Sequence, residues 1–134
     1  MQYLIDTDIC IFYMKGVDSV LRSFDKAGDS NCYISEITLA ELKFGVENSS
    51  DPVRHREVLN NFLSGVQVLP VFHSLDIYAQ EKVRLRRAGI PLDDFDILIG
   101  ATAITYDLVM VTNNSDHFSR INGIMIENWN LRGA

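Results

Sequence analysis

The chain has 134 residues, 47% of them hydrophobic, and its 18 acidic side chains outnumber 12 basic ones for a formal charge of −6. That size and apolar content build one core, so a single domain spanning 1–134 is expected, and the negative charge excludes a broad grip on nucleic acid through basic surface. No apolar run approaches the roughly 18 residues that cross a bilayer; Cys10 and Cys32 lack disulfide or zinc spacing, which points to the reducing cytoplasm and away from a membrane.

Residues 1–5 read as a short apolar strand, after which Asp6-Thr7-Asp8 turns the chain or caps a helix over 9–14. Helical spacing of Val20, Leu21 and Phe24 marks 17–27, and residues 31–34 form a second strand ending at Ser35. The next helix, 36–46, has Ser35 as its N-cap with Thr38 a weaker candidate, and it carries Glu41 in its interior. Asp51-Pro52 opens another helix with proline in its first turn, packed through Val58, Leu59, Phe62 and Leu63.

Residues 66–71 give a strand, and 74–88 give the longest amphipathic helix, with Leu75, Tyr78, Ala79, Lys82 and Leu85 on overlapping turns before Gly89 ends it. In the helix over 93–106, Asp93 is the better cap, and Gly100, Ala101 and Ala103 suit close packing. A strand over 108–111 runs into the polar loop Thr112-Asn113-Asn114-Ser115-Asp116, followed by a short turn at Phe118 and a last strand over 124–127. Alternating strands and helices predict an α/β fold, a central mostly parallel β-sheet flanked by helices on both faces, with functional loops beyond the strands' carboxyl ends.

Asp6, Glu41, Asp96 and Asp116 each lie beside a strand end or near a helix start at that edge. Oxygen ligands of this kind suit Mg²⁺ or Mn²⁺, whereas carboxylates alone repel a polyanionic substrate. The alternative is ordinary: Asp6 as a helix cap, Glu41 as a solvent-facing helical residue, Asp116 as part of a polar turn. Asp8, Asp94, Thr112 and Asn114 are candidates to support the same centre through water or hydrogen bonds.

Lys82, Arg84, Arg86 and Arg87 form a basic cluster that either contacts phosphates or solubilises its helix. Tyr13, Tyr33, Tyr78 and Tyr106 show no stacking-platform spacing; His55, His73 and His117 form no metal-ligand motif and are assigned to local polar contacts. Neither a Walker loop nor a Rossmann glycine fingerprint is present.

Over nearly its full length the sequence resembles the VapC toxin branch of the PIN-domain ribonucleases. Tyr3-Leu4-Ile5-Asp6-Thr7-Asp8 matches the opening pattern, with Asp8 where asparagine is common; Glu41 matches the second acidic position, and Asp96-Ile97-Leu98-Ile99-Gly100-Ala101-Thr102-Ala103 the third. Asp116 in Val111-Thr112-Asn113-Asn114-Ser115-Asp116-His117-Phe118 looks like the last acid, and Glu127-Asn128-Trp129 like the closing segment. The resemblance implies a PIN-like fold and an endoribonuclease toxin dependent on Mg²⁺ or Mn²⁺, with Asp6, Glu41, Asp96 and Asp116 as catalytic metal ligands. It further implies cleavage of RNA, with transfer RNA as one candidate, arrest of translation, a homodimer, and neutralisation by a small VapB-like antitoxin that contacts operator DNA. Dimerisation is placed on the apolar helix surface of 37–62. Competing readings are a PIN nuclease of RNA processing without an antitoxin, and a noncatalytic RNA-binding or partner-binding PIN domain.

Overall fold

The computed structural model describes residues 1–131. Its strands are β1 (Tyr3–Ile5), β2 (Cys32–Ser35), β3 (Gln67–Leu69), β4 (Val109–Val111) and β5 (Ile126–Glu127), and its α-helices are α1 (Thr7–Met14), α2 (Asp18–Ala27), α3 (Glu36–Glu47), α4 (Pro52–Leu63), α5 (Leu75–Arg87), α6 (Asp94–Thr105) and α7 (Ser115–Phe118). Every strand pair is parallel, in the order β3-β2-β1-β4-β5. The chain builds outward from β1 through β2 to β3, then returns to place β4 on the other side of β1. Loops after β1 and β4 therefore diverge at the point where the strand order reverses, and that crevice is where ligands bind in open α/β sheets.

Strand alternation divides the core in two. Ile5, Cys32, Ile34 and Val111 face one layer with Ile9, Val20, Phe24, Leu42, Leu59 and Phe62, closed by Trp129. Leu4 and Met110 face the opposite layer with Ile99, Ala103, Phe118 and Ile121. Successive strand side chains point to opposite faces, so these short strands, buried on both sides, read as continuous apolar runs. Cys10 and Cys32 are free and buried, and burial pushes both thiols up, Cys32 to about 11, which makes them inert packing groups.

Gly100 is a position where close approach is required. A Cβ there would run into the Cδ1 of Ile121, with the Phe118 ring in ordinary contact at 3.5 Å, so α6 lies against α7 and the following turn and the Ile121 side chain would have to shift to admit a methyl group.

Several boundaries differ from the sequence reading. Helix α1 begins at Thr7, two residues earlier than expected, because Asp6 is itself the N-cap and the Cys10 amide already bonds to the Asp6 carbonyl at 3.1 Å. Strand β3 keeps only Gln67–Leu69, and Pro70, with no N–H to donate, follows it directly. In α5 the buried residues are Glu81 and Leu85, while Leu75 is 44% exposed and Ala79 is also exposed, so the packed stripe is rotated from the expected one. The expected turn at Phe118 is helix α7, which takes in Asp116 and His117. Thr38 is not a cap; it is fully buried inside α3, with Ser35 accepting the Ile37 amide as cap.

Within the expected dimer surface over 37–62, Leu42, Val46, Leu59 and Phe62 are buried in the core. Phe44, Val53 and Val58 are the large apolar side chains left exposed on α3 and α4.

Candidate active site at the carboxyl ends of the sheet

Asp6 stands at the end of β1, where its amide still bonds to the Val111 carbonyl of β4 at 2.8 Å. Its side chain is almost wholly buried yet fully engaged: Oδ1 accepts the Thr7 amide at 2.8 Å and Oδ2 accepts the Thr112 hydroxyl at 2.7 Å. Thr112, at the end of β4, is itself fixed because its Oγ1 accepts the Asn114 amide at 2.9 Å. The strand pair β1–β4 thus holds the first carboxylate from both sides.

Thr7 carries the connection to α3. Its hydroxyl donates to Glu41 Oε1 at 2.7 Å and lies 3.1 Å from the buried Thr38 hydroxyl. One hydroxyl has one proton; with that proton on Glu41, the Thr38 hydroxyl is the donor that fits the second contact. Residue 7 therefore offers its amide to Asp6 and its hydroxyl to Glu41, tying two acids 35 positions apart in sequence to one point.

Asp8 turns to the same edge, its Oδ1 accepting the Ile9 amide at 2.7 Å and its Oδ2 the Asn113 amide at 3.2 Å. Burial, then the charge of Asp8, push the Asp6 carboxyl up to about 7; Thr112 and Thr7 pull the other way, and Asp96 adds to the rise. Burial also raises Asp8, with the Ile9 and Asn113 amides opposing and Asp96 contributing. Asp96, in the first turn of α6, is raised by its own burial and held back by His117. Asp6, Asp8 and Asp96 therefore feel one another across a cleft, and among the described residues none of them, nor Glu41, is ion-paired to lysine or arginine.

Not every expected residue joins them. Asp116 is exposed on α7, and only its carbonyl is engaged, accepting the Ser119 hydroxyl at 3.1 Å. The next residue takes the inward place instead: His117 Nδ1 lies 3.5 Å from Asp96 Oδ2 and 2.8 Å from Asn114 Nδ2. A one-residue step on a helix rotates a side chain by about 100°, which is why neighbours in sequence face different directions. The sequence signal that finds His117 is its spacing of three from Asn114 in a segment that proves helical.

Asp94 also leaves the group. It accepts Lys82 Nζ at 2.7 Å and the Tyr78 hydroxyl at 2.9 Å, and Lys82 foremost lowers its pKa. The basic cluster divides accordingly. Lys82 is committed to Asp94, and Arg84 grips buried Glu81 through two nitrogens at 2.7 and 2.9 Å while also donating to the Arg120 carbonyl. Glu81 further accepts the Asn122 amide at 2.8 Å, so Arg84 anchors α5 to the 120–122 turn and is not a free phosphate contact. Arg86 and Arg87 remain exposed.

The donor chemistry suits a hard divalent cation: buried or partly buried oxygen ligands, mutually repelling, with no lysine or arginine paired to them among the described residues. As they stand, no three His, Cys, Asp or Glu side chains among the described residues converge closely enough to enclose an ion. The free Oε2 of Glu41 and the partly exposed Asp96 are the groups with room to close on one. Beside Glu41, an apolar groove of about 500 Å³ runs between α1, α3 and α4, lined by Ile11, Met14, Leu42, Val46, Val58 and Leu59.

An all-parallel sheet with acids at the β1–β4 switch defines the class: a family model described as PIN domain matches residues 3–124. The tRNA(fMet)-specific endonuclease VapC of Salmonella typhimurium is 37% identical over 130 residues, 96% of this chain and 98% of the relative. Ribonuclease VapC2 of Rickettsia felis is 33% identical over 132 residues, again covering 96% and 98%. Among solved structures, DNA-bound VapBC from Salmonella typhimurium superposes with a TM-score of 0.91 at 36% identity, covering 96% of this chain and 98% of that one. The chain belongs to the PIN-domain family and, within it, to the VapC ribonucleases.

Proposed function

We propose that this protein is a divalent-metal-dependent endoribonuclease toxin of a type II toxin-antitoxin system, and that 1–134 act as one PIN domain. The observation that carries the catalytic reading is the buried Asp6 carboxylate, bound to Thr7 and Thr112 and linked through Thr7 to Glu41, beside Asp8 and Asp96 with no lysine or arginine paired to them among the described residues. Asp6, Glu41 and Asp96 are the proposed ligands for Mg²⁺ or Mn²⁺, with Asp8 supporting them. When bound, such an ion supplies charge neutralisation at the scissile phosphate and an acidified water. Thr112 and Thr7 fix the direction of Asp6, Thr7 fixes Oε1 of Glu41, and a carboxylate of the cleft takes the proton of the attacking water. Attack on phosphorus in line with the departing ribose oxygen breaks one P–O bond. Arg86 and Arg87 are the exposed cations at hand to steer the flanking RNA.

The relatives' names support RNA as substrate, with transfer RNA the first pool to search; arrest of translation is the consequence proposed for such cleavage. Solved DNA-bound VapBC complexes support a VapB-like antitoxin as partner; contact with operator DNA through that antitoxin, in the cytoplasm, is part of the proposal. The apolar groove that runs to Glu41 offers such a partner a seat from which it would cover the acids. No described helix is long and apolar enough to cross a membrane. A homodimer through Phe44, Val53 and neighbouring α3–α4 surface is proposed, and light scattering after gel filtration tests it.

The decisive experiment incubates antitoxin-free protein with total cellular RNA in Mg²⁺, Mn²⁺ or EDTA beside D96N, and maps new RNA ends. Discrete cuts that require both metal and Asp96 are expected. Cuts that persist in EDTA would sink the metal requirement, and an intact RNA pool with folded protein would turn the reading toward noncatalytic binding.

A further inference from the structure

We propose that the chain beyond β5 works as part of the active site: Asn128 and Asn130 clamp Asn113 and through it hold the Asp8 carboxylate, which makes all three asparagines positioning residues for cleavage. Their role in cleavage rests on the nuclease reading above.

Asp8 is held at both oxygens. Oδ1 accepts the Ile9 amide of its own helix at 2.7 Å, whereas Oδ2 accepts the Asn113 amide from the loop after β4 at 3.2 Å. The same loop reaches Asp6, since the Thr112 hydroxyl donates to Asp6 and accepts the Asn114 amide. What keeps Asn113 in place comes from the end of the chain. Its side-chain Oδ1 accepts Asn128 Nδ2 at 3.1 Å and Asn130 Nδ2 at 3.2 Å, which uses both lone pairs of one carbonyl oxygen. The direction of the Asn128 amide is fixed in turn. Its Oδ1 accepts the Asn130 backbone amide at 2.9 Å, a group that can only donate, so the end turned to Asn113 is the NH₂.

The segment carrying the clamp is itself anchored. The Thr112 amide bonds to the Glu127 carbonyl at 3.0 Å, continuing the β4–β5 pairing. Trp129, between the two asparagines, is buried, with its ring edge-on to those of Tyr3 and Phe24 at centroid distances of 5.1 and 5.2 Å. The Leu131 amide then bonds to Ser19 Oγ at 3.1 Å. Exposed hydrogen bonds between neutral groups hold weakly by themselves; here a buried aromatic residue supplies the anchorage, and the amides on either side of it supply direction.

The test is a double-mutant cycle on the full chain. It reads kcat and KM on a synthetic RNA spanning a mapped cleavage site, together with hydrogen exchange of the Asn113 amide in the metal-free protein, followed by NMR. Asn128→Ala combined with Asn130→Ala is expected to lower kcat about tenfold with KM within about twofold. Exchange at Asn113 should quicken about tenfold, while the Asp6 amide, bonded within the β1–β4 pair, keeps its protection and so reports an intact sheet. In an Asn113→Ala background the same two substitutions should cost less than about twofold in kcat, because their effect passes through Asn113. An undiminished fall in that background, a change confined to KM, or unaltered exchange at Asn113 would overturn the clamp while wild-type cleavage leaves the nuclease reading standing. Folded wild type that cleaves no RNA would overturn the nuclease reading and the role of the clamp in cleavage together.

Discussion

The two sides of the acidic cleft are built differently. On the β1–α3 side, Asp6 and Glu41 are held by Thr7, Thr38 and Thr112 through contacts of 2.7 to 3.1 Å, all of them at least partly buried. On the α6–α7 side, Asp96 is partly exposed, and the side chain paired to it among the described residues is His117, at 3.5 Å. Charge-assisted hydrogen bonds in a dry setting fix geometry, whereas a single longer contact leaves a side chain free to turn. The difference teaches a division of labour: the strand edge supplies a fixed anchor, and the α6–α7 edge supplies groups that can adapt to ion and substrate.

The anchor is most severely tested at Asp6. Asp6→Asn is expected to lower RNA cleavage by about 1,000-fold or more, as removal of a group acting within a catalytic unit does. The same change should stabilise the metal-free protein at neutral pH. The Asp6 carboxyl is raised from 3.8 to about 7 in the fold, so the folded state binds its proton more tightly than the unfolded chain. Stability present below pH 4 is then lost as pH rises toward 7, by up to about 4 kcal/mol. Urea melts in EDTA at pH 4, 5.5 and 7.5 should show that decline in wild type and a flatter profile in Asp6→Asn; parallel profiles would mean that Asp6 is not the strained group.

Thr7 sharpens the comparison one step out. Thr7→Val keeps shape and the backbone amide but removes the hydroxyl that orients Glu41, and kcat is expected to fall about 10- to 100-fold. Thr7→Ser should recover most of it. A change confined to KM would place Thr7 in substrate binding instead.

On the adaptable side, the packing beneath Asp96 is tight even though the carboxylate is not. Gly100→Ala on α6 forces a methyl group against Ile121, so a loss of about 1 to 3 kcal/mol is expected in chemical denaturation. An unchanged midpoint would mean that α6 yields easily, and the mobility assigned to Asp96 would extend to its helix. The smallest effect belongs to Asp116→Asn, expected to leave kcat/KM within about twofold because the side chain faces solvent. A large loss there would return Asp116 to the cleft.

Much of this was legible in the sequence because the signals are local. Apolar runs of strand length, Ser35 and Asp93 as caps, Pro52 at a helix start and small residues on α6 each have a physical cause within a few positions, and the elements formed accordingly. The resemblance to PIN-domain ribonucleases rests on the same order of acids, so Asp6, Glu41 and Asp96 could be named before any contact was known. Element ends and helix faces were less legible. The stripe of α5 turned because Glu81, paired to Arg84 and the Asn122 amide, could be buried at lower cost than its charge suggested.

By itself, then, the sequence determined the alternating α/β order, the parallel sheet and which carboxylates lie at strand ends and helix starts, because these follow from period, capping and chain direction. Only the tertiary structure decided that Thr7 joins Asp6 to Glu41, that Lys82 and Arg84 are taken up by Asp94 and Glu81, and that His117 rather than Asp116 faces Asp96. Those choices depend on which helix face turns inward and on partners up to 34 residues away, which one-dimensional spacing does not encode.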